Sequence, residues 1–184
     1  VDTLLSLSYK ISPKSFYQIN KIQTEKLYQK AIELAELSKN DIILDAYCGI
    51  GTIGLSAASY VHQVIGVEIV KEAIKDAINN AKFNHIQNCF FYCEDASQFI
   101  VQNDNHFDVV FVDPPRKGCD FVFLDALIQK KVKKIVYISC NPTTQARDVA
   151  YLCKNGYTFN EVYPFDMFPQ TYHVETIILL NRCK

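Results

Sequence analysis

The sequence predicts an α/β domain on a mostly parallel, seven-stranded sheet that closes with an antiparallel hairpin. Three observations carry that reading. After Asn40, short β-rich runs alternate with helix-like segments, the pattern of βαβ units. A glycine-rich string follows the first of those runs, where strand gives way to helix. The last two β-rich runs have no helix between them, only residues 165–173 with Pro164 and Pro169 as breakers, so they pair antiparallel at the sheet edge.

The elements follow in order. Residues 1–20 show no clear period and read as an irregular lead-in from an upstream region, with the domain proper at 21–184. From 22 to 37, Leu27, Ala31, Leu34 and Ala35 recur at helical spacing while Lys26, Lys30, Glu33 and Glu36 face the other way, which predicts an amphipathic helix. Strands are predicted at 42–46, 63–68, 89–93, 107–112, 134–138, 158–164 and 174–181. Helices are predicted at 52–60, 71–84, 96–102, 121–130 and 143–154.

With 184 residues, 49% of them hydrophobic, the chain suits one domain with a sizeable core. A net charge of −1, with six glycines and six prolines, argues against disorder, collagen-like repeats and a polybasic arm. The longest apolar runs, at 109–112 and 177–180, are of strand length, far short of the roughly 20 residues that cross a bilayer, so no membrane partner is expected. The amino terminus has neither an initiator Met nor a secretory pattern, and the expectation is a soluble fragment of a longer chain. Seven cysteines, an odd number spread through candidate core strands, fit a reducing cytoplasm.

The string DAYCGIGTIG at 45–54 sets Gly49, Gly51 and Gly54 as G-x-G-x-x-G between strand and helix. Bare backbone there lets a ligand approach the crevice at the carboxyl ends of the strands. Glu68 ends the next strand, where a carboxylate can accept hydrogen bonds from both hydroxyls of a ribose. This order points to a nucleoside-type cofactor, and the layout serves both NAD and S-adenosylmethionine. Asp45 before the glycines, Glu94 and Asp95 closing the third strand, and the final hairpin lean toward S-adenosylmethionine. The plain structural alternatives are a turn former for Asp45 and a helix N-cap for Asp95.

After the fourth strand comes DPPRKG at 113–118. Two prolines stiffen the loop and hold Asp113 at the strand end, facing the same crevice. Arg116 and Lys117 either meet a phosphate or are simply solvated. The fifth strand ends in SCNPTT at 139–144, which places Cys140 beside the Asp113 loop and near the start of a helix whose dipole would lower its thiol pKa. That placement suits a nucleophile, against the bland reading of a small buried hydrophobe. The bland reading serves Cys89, Cys93, Cys153 and Cys183; Cys89 and Cys93 share a strand face, but no second ligand pair supports a metal site. His173 and Glu175 open the last strand on one side, Glu175 being either an exposed edge carboxylate or a base over the pocket.

Taken together, SPKSFYQIN at 12–20, the 45–54 turn, GVE at 66–68, DPPRKG at 113–118, SCNP at 139–142 and HVET at 173–176 resemble the RNA 5-methyluridine methyltransferase family. The resemblance implies a class I, Rossmann-like methyltransferase domain that uses S-adenosylmethionine. It places Gln18, Tyr47, Glu68 and Asp113 on cofactor-contacting positions with Gly49 and Gly51 of the turn, Cys140 on the nucleophile and Glu175 on the general base. Asp95 is added from strand order. The resemblance also implies an RNA substrate, ribosomal or transfer, and upstream RNA-binding domains that this stretch does not contain.

The chemistry needs those groups. Uracil C5 is too poor a nucleophile to take a methyl from a sulfonium until a thiolate adds to C6, which assigns Cys140; a base must later remove the C5 proton, which assigns Glu175. The rival readings are a cytosine-C5 or nucleobase-amine methyltransferase, a nicotinamide-dependent oxidoreductase and a non-catalytic nucleotide-binding module.

Overall fold

The computed structural model describes residues 1–11, 18 and 20–183. Of the motif at 12–20, residues 12–17 and 19 lie outside the described residues, while Gln18 and Asn20 are described. The chain opens with strands β1 (Asp2–Leu4) and β2 (Leu7–Tyr9), then helix α1 (Lys21–Ala35). The alternating part runs β3 (Ile42–Ala46), α2 (Thr52–Ala57), β4 (Gln63–Glu68), α3 (Lys71–Phe83), β5 (Cys89–Cys93), α4 (Ala96–Gln102), β6 (Val109–Val112) and α5 (Phe121–Gln129). It ends with β7 (Lys134–Ser139), α6 (Pro142–Lys154), β8 (Tyr157–Thr158), β9 (Val162–Phe165) and β10 (Glu175–Arg182).

The main sheet has the order β5-β4-β3-β6-β7-β10-β8, with β9 also on β10. Strands β3 to β7 are parallel and β10 is antiparallel to its neighbours. The sheet thus has eight strands rather than seven, because the predicted strand at 158–164 is interrupted. Thr158 pairs with Asn181 and Val162 with Ile178, so three residues on one strand face two on the other, a bulge that divides the run into β8 and β9. The antiparallel closing pair itself is present as the sequence predicts.

Both faces of the sheet are covered, which is why its strands read as continuous apolar runs. On one face Leu44, Ile65, Val110, Ile135 and Ile178 pack with Phe99, Phe123, Leu127 and Leu152 of α4, α5 and α6. On the other, Ile43, Val64, Phe111, Val136 and Ile177 pack with Leu27 and Ala31 of α1 and Leu55 of α2. The chain leaves β3 toward β4 in one direction and returns to β6 on the other side, so the β3–β6 boundary is the point where connectivity reverses. A crevice opens there at the carboxyl ends of the strands.

Residues 2–9, read from the sequence as irregular, form a hairpin whose Leu4 and Tyr9 are buried. Asn80 of α3 and Asn84, which caps its C-terminus, hold it. Asn84 accepts from Ser8 N–H at 2.9 Å and donates to the Ser8 carbonyl at 2.8 Å; Asn80 does the same for Lys10 at 2.8 and 3.2 Å. These side-chain amides pair with alternate residues as a neighbouring strand would. Three-residue strands joined at Leu5 and Ser6, both at positive φ, carry none of the usual turn chemistry, which hid them from the sequence.

Candidate active site

A cleft of about 640 Å³ lies over the carboxyl ends of β3, β4, β6 and β7. Each predicted site residue except Gly51 lines it: Gln18, Tyr47, Gly49, Glu68, Asp95, Asp113, Cys140 and Glu175. The chain positions them from separate segments.

Tyr47 and Gly49 turn out of β3 with φ of 62° and 55°. A Cβ on Gly49 would meet nothing within 4 Å, so this is where bare backbone faces the cleft. Gly51 serves another purpose: a Cβ there would stand 2.9 Å from the Phe91 ring. The same ring fills the space left by Gly66 of β4, at 2.4 Å. Gly54 accommodates Asp45, whose Oδ2 accepts from Gly54 N–H at 2.8 Å. Gly51 also has a packing role, since only a residue without a Cβ fits under the Phe91 ring there.

Glu68 accepts from Gly49 N–H at 3.2 Å and from Val70 N–H at 2.9 Å, fixing its carboxylate against the turn at the cleft wall. Asp95 caps α4 through Ser97 and Gln98 N–H at 3.0 and 3.1 Å and lines the cleft as well, so the capping alternative and the site placement hold together. Gln18 is buried, and among the described residues its Oε1 has no hydrogen-bond partner.

The Asp113 loop is held by the start of α6. Thr144 Oγ1 and Asn141 Nδ2 both donate to the Arg116 carbonyl at 3.1 Å. Arg147 donates to the Lys117 and Cys119 carbonyls at 3.1 and 3.0 Å. Fully buried Asp148 accepts from Cys119 N–H at 2.8 Å and from Tyr137 O–H at 2.7 Å. Cys140, at the end of β7, is therefore tied through its own helix to the loop that carries Asp113.

Across the sheet, Thr176 of β10 pairs with Ser139, which brings Glu175 beside Cys140. A buried network fastens this junction. Gln145 Nε2 donates to the Tyr137 carbonyl at 3.0 Å and the Thr176 carbonyl at 3.3 Å, and its Oε1 accepts from Thr176 Oγ1 at 2.7 Å. Sequence reasoning missed Gln145 and Asp148, although both sit on the buried face of a helix three residues apart, where polar side chains need partners. It also missed Phe168, which lines the cleft from the segment before β10.

The electrostatics are those of a crowded acidic cleft. Burial raises Glu175 to about 7, with the Arg116 guanidinium opposing, and raises Asp45 to about 7 against the Gly54 N–H. Asp113 lies well above the usual carboxylate range through burial and the charges of Glu175 and Asp45. The Cys140 thiol is raised by burial, then by Glu175 and Asp113, with Arg116 the group that lowers it. This corrects the expectation of a depressed thiol. The helix end offers Cys140 little, because Pro142 has no N–H and the Asn141 side chain takes that of Thr143 at 3.1 Å. Among the described residues no cluster of His, Cys, Asp or Glu fits a metal ion, and no helix is long and apolar enough to cross a membrane.

The chain and its fold are similar to those of known proteins. Residues 4–183 match the family described as tRNA (Uracil-5-)-methyltransferase. Relatives described as uncharacterized RNA methyltransferases, from Enterococcus faecalis and Staphylococcus aureus, are 50% and 54% identical over 184 residues. In each case the match covers 98% of this chain and 40% of the relative, so the chain spans about 40% of the length of the curated relatives it matches. A Pyrococcus abyssi tRNA (uracil-54, C5)-methyltransferase, solved with S-adenosyl-L-homocysteine, is similar with a TM-score of 0.84 and 38% identity over 95% of this chain and 42% of its own. The precorrin-6y C5,15-methyltransferase of Geobacter metallireducens, at 15% identity and a TM-score of 0.75 over 95% of this chain and 94% of its own, shares the fold. Fold, cleft and match over nearly its whole length converge: the chain belongs to the tRNA (uracil-5-)-methyltransferase family.

Proposed function

We propose that residues 21–184 are the catalytic domain of an enzyme that methylates C5 of uridine in RNA, ribosomal or transfer, with S-adenosylmethionine as methyl donor. The observation that carries the reading is the meeting of Cys140 and Glu175 at the mouth of one cleft with Gln18, Glu68, Asp95 and Asp113. The names of the relatives and of the Pyrococcus abyssi neighbour support it. RNA-binding parts outside this chain are part of the proposal, since the relatives are longer.

The residues present fit the donor. Gln18 Oε1 is a buried acceptor with no donor among the described residues, Gly49 leaves backbone open, and Glu68 and Asp95 are acids suited to ribose hydroxyls and an adenine amine. A ring of carboxylates also suits a cation. Bound there, S-adenosylmethionine supplies an electrophilic methyl on a positively charged sulfur.

The chain's residues do the rest. The Cys140 thiolate adds to C6 of uracil, and the electron pair displaced from the C5–C6 double bond makes C5 nucleophilic. Arg116 is the charge that favours the thiolate. Once C5 carries the methyl, Glu175 takes the remaining C5 hydrogen as a proton, the C5–C6 double bond re-forms and Sγ leaves. A base held near 7 matches proton transfer at neutral pH.

The test is methyl transfer to uridine-only and cytidine-only RNA. Cys140→Ala abolishes transfer while affinity for S-adenosylhomocysteine stays nearly intact, and Glu175→Gln accumulates a covalent methylated RNA adduct. Undiminished methylation by Cys140→Ala, or transfer to cytidine alone, overturns the proposal.

A further inference from the structure

The segment before β10 carries an exposed aromatic side chain beside the cleft. Tyr172 is 88% exposed, and its ring lies over that of His173, with centroids 4.2 Å apart and planes 44° from parallel. His173 in turn meets the edge of Phe168 at 6.3 Å, and Arg116 Nη2 lies 3.2 and 3.3 Å from its two ring nitrogens. Phe168 and Arg116 both line the cleft with Cys140 and Glu175. A continuous ladder therefore runs from the cleft wall through Phe168 and His173 to Tyr172 in solvent.

The ladder is braced. Thr171 N–H and Oγ1 donate to the Phe168 carbonyl at 3.1 and 2.8 Å, and His173 N–H donates to Thr171 Oγ1 at 3.2 Å. A tyrosine ring left this open while one face rests on an imidazole exposes apolar surface for no internal gain. The basic side chains of Arg116 and Lys117 stand exposed on the adjoining loop. Aromatic faces beside cations at the rim of a base-sized cleft match single-stranded nucleic acid, whose bases stack on such rings while phosphates meet the cations.

We propose that the outer face of Tyr172, supported by His173, is a stacking site for the nucleobase next to the target uridine in single-stranded RNA. This rests on the methylation reading, because the neighbour of a base drawn into the cleft emerges at its rim. Taking that base out of its stack leaves its neighbour without a partner. Tyr172 supplies a replacement face, and because every base has one, the site accepts any base and rejects its absence.

The experiment measures binding of this chain to a labelled seven-nucleotide RNA with one central uridine, and to the same RNA with abasic residues flanking that uridine. Tyr172→Ala is expected to weaken binding of the intact RNA about tenfold and leave binding of the abasic-flanked RNA unchanged. Tyr172→Phe, which keeps the ring, binds both within twofold of the parent. Equal affinity of Tyr172→Ala and parent for the intact RNA overturns the inference. So does an equal loss with both RNAs, which would make Tyr172 a backbone contact or a loop brace, and so does failure of the parent to bind the intact RNA. Methyl transfer by the longer protein that carries the upstream RNA-binding parts, assayed on the same oligonucleotide, reports separately on the reading beneath: no transfer to uridine with ring-dependent binding intact removes the methylation proposal and leaves the stacking site standing.

Discussion

Ser139 of β7 and Thr176 of β10 face each other in an antiparallel pair, and that register alone brings Cys140 and Glu175 together. The two lie 35 positions apart in sequence (175 − 140) on strands that run in opposite directions. A slip of one residue would turn Glu175 to the opposite face of the sheet.

The Gln145 amide is the clasp on that register, with bonds to the Tyr137 and Thr176 carbonyls and to Thr176 Oγ1. Gln145→Leu takes a partner from three buried polar groups, and we expect a stability loss of about 1–3 kcal/mol in urea unfolding. Methyl transfer should fall through kcat, with little change in the KM for S-adenosylmethionine, because the clasp lies on the Cys140 side of the cleft.

Glu175 is held near 7 in the folded protein against an ordinary value of 4.5, so the folded state keeps a proton that the unfolded chain has lost between those values. Stability therefore falls as pH rises through that window. Glu175→Gln removes this group's share of the dependence, leaving that of Asp45 and Asp113, and should be the more stable protein at pH 8, by on the order of 2 kcal/mol, and nearly equal to the parent at pH 4. Thermal melts at the two pH values, with the difference confined to pH 4, would refute this.

The raised Cys140 thiol predicts slow alkylation by iodoacetamide at pH 7 with a steep rise above pH 9, read by mass spectrometry at this residue. Arg116→Gln removes the charge that favours the thiolate and should move the rate profile to still higher pH. An unmoved profile would show that Arg116 does not act on the thiol.

Asp148 holds the Asp113 loop through Cys119 N–H and Tyr137 O–H. Asp148→Ala leaves both donors buried without an acceptor and Arg147 without its carboxylate, at a cost of about 3 kcal/mol. Hydrogen exchange should rise first in residues 114–120, with β3 and β4 protected as in the parent.

Much of this molecule is legible in its sequence because the relevant physics is local. Strand-length apolar runs follow from a sheet buried on both faces, as Val109 to Val112 illustrate. The acid at the end of a strand, as with Glu68 and Asp113, and the cysteine after β7 fall at one edge of the sheet because parallel strands place all their carboxyl ends together. The hairpin at 2–9 was not legible, since its partners Asn80 and Asn84 lie far along the chain and nothing within it marks a turn. Nor were Gln145 and Asp148, whose acceptors and donors come from β7, β10 and the Asp113 loop.

By itself, then, the sequence determines the alternation of strands and helices, the order of the motifs and the edge on which they gather. Tertiary structure decides what each group experiences there. Gly51 makes room for the Phe91 ring, which the β4–β5 pairing sets over it. The Cys140 thiol is raised rather than lowered, because burial and two carboxylates from other strands outweigh a helix end whose first N–H groups are missing or already taken. Charge and solvent exposure are sums over neighbours in space, and those neighbours come from β6, β7 and β10 together.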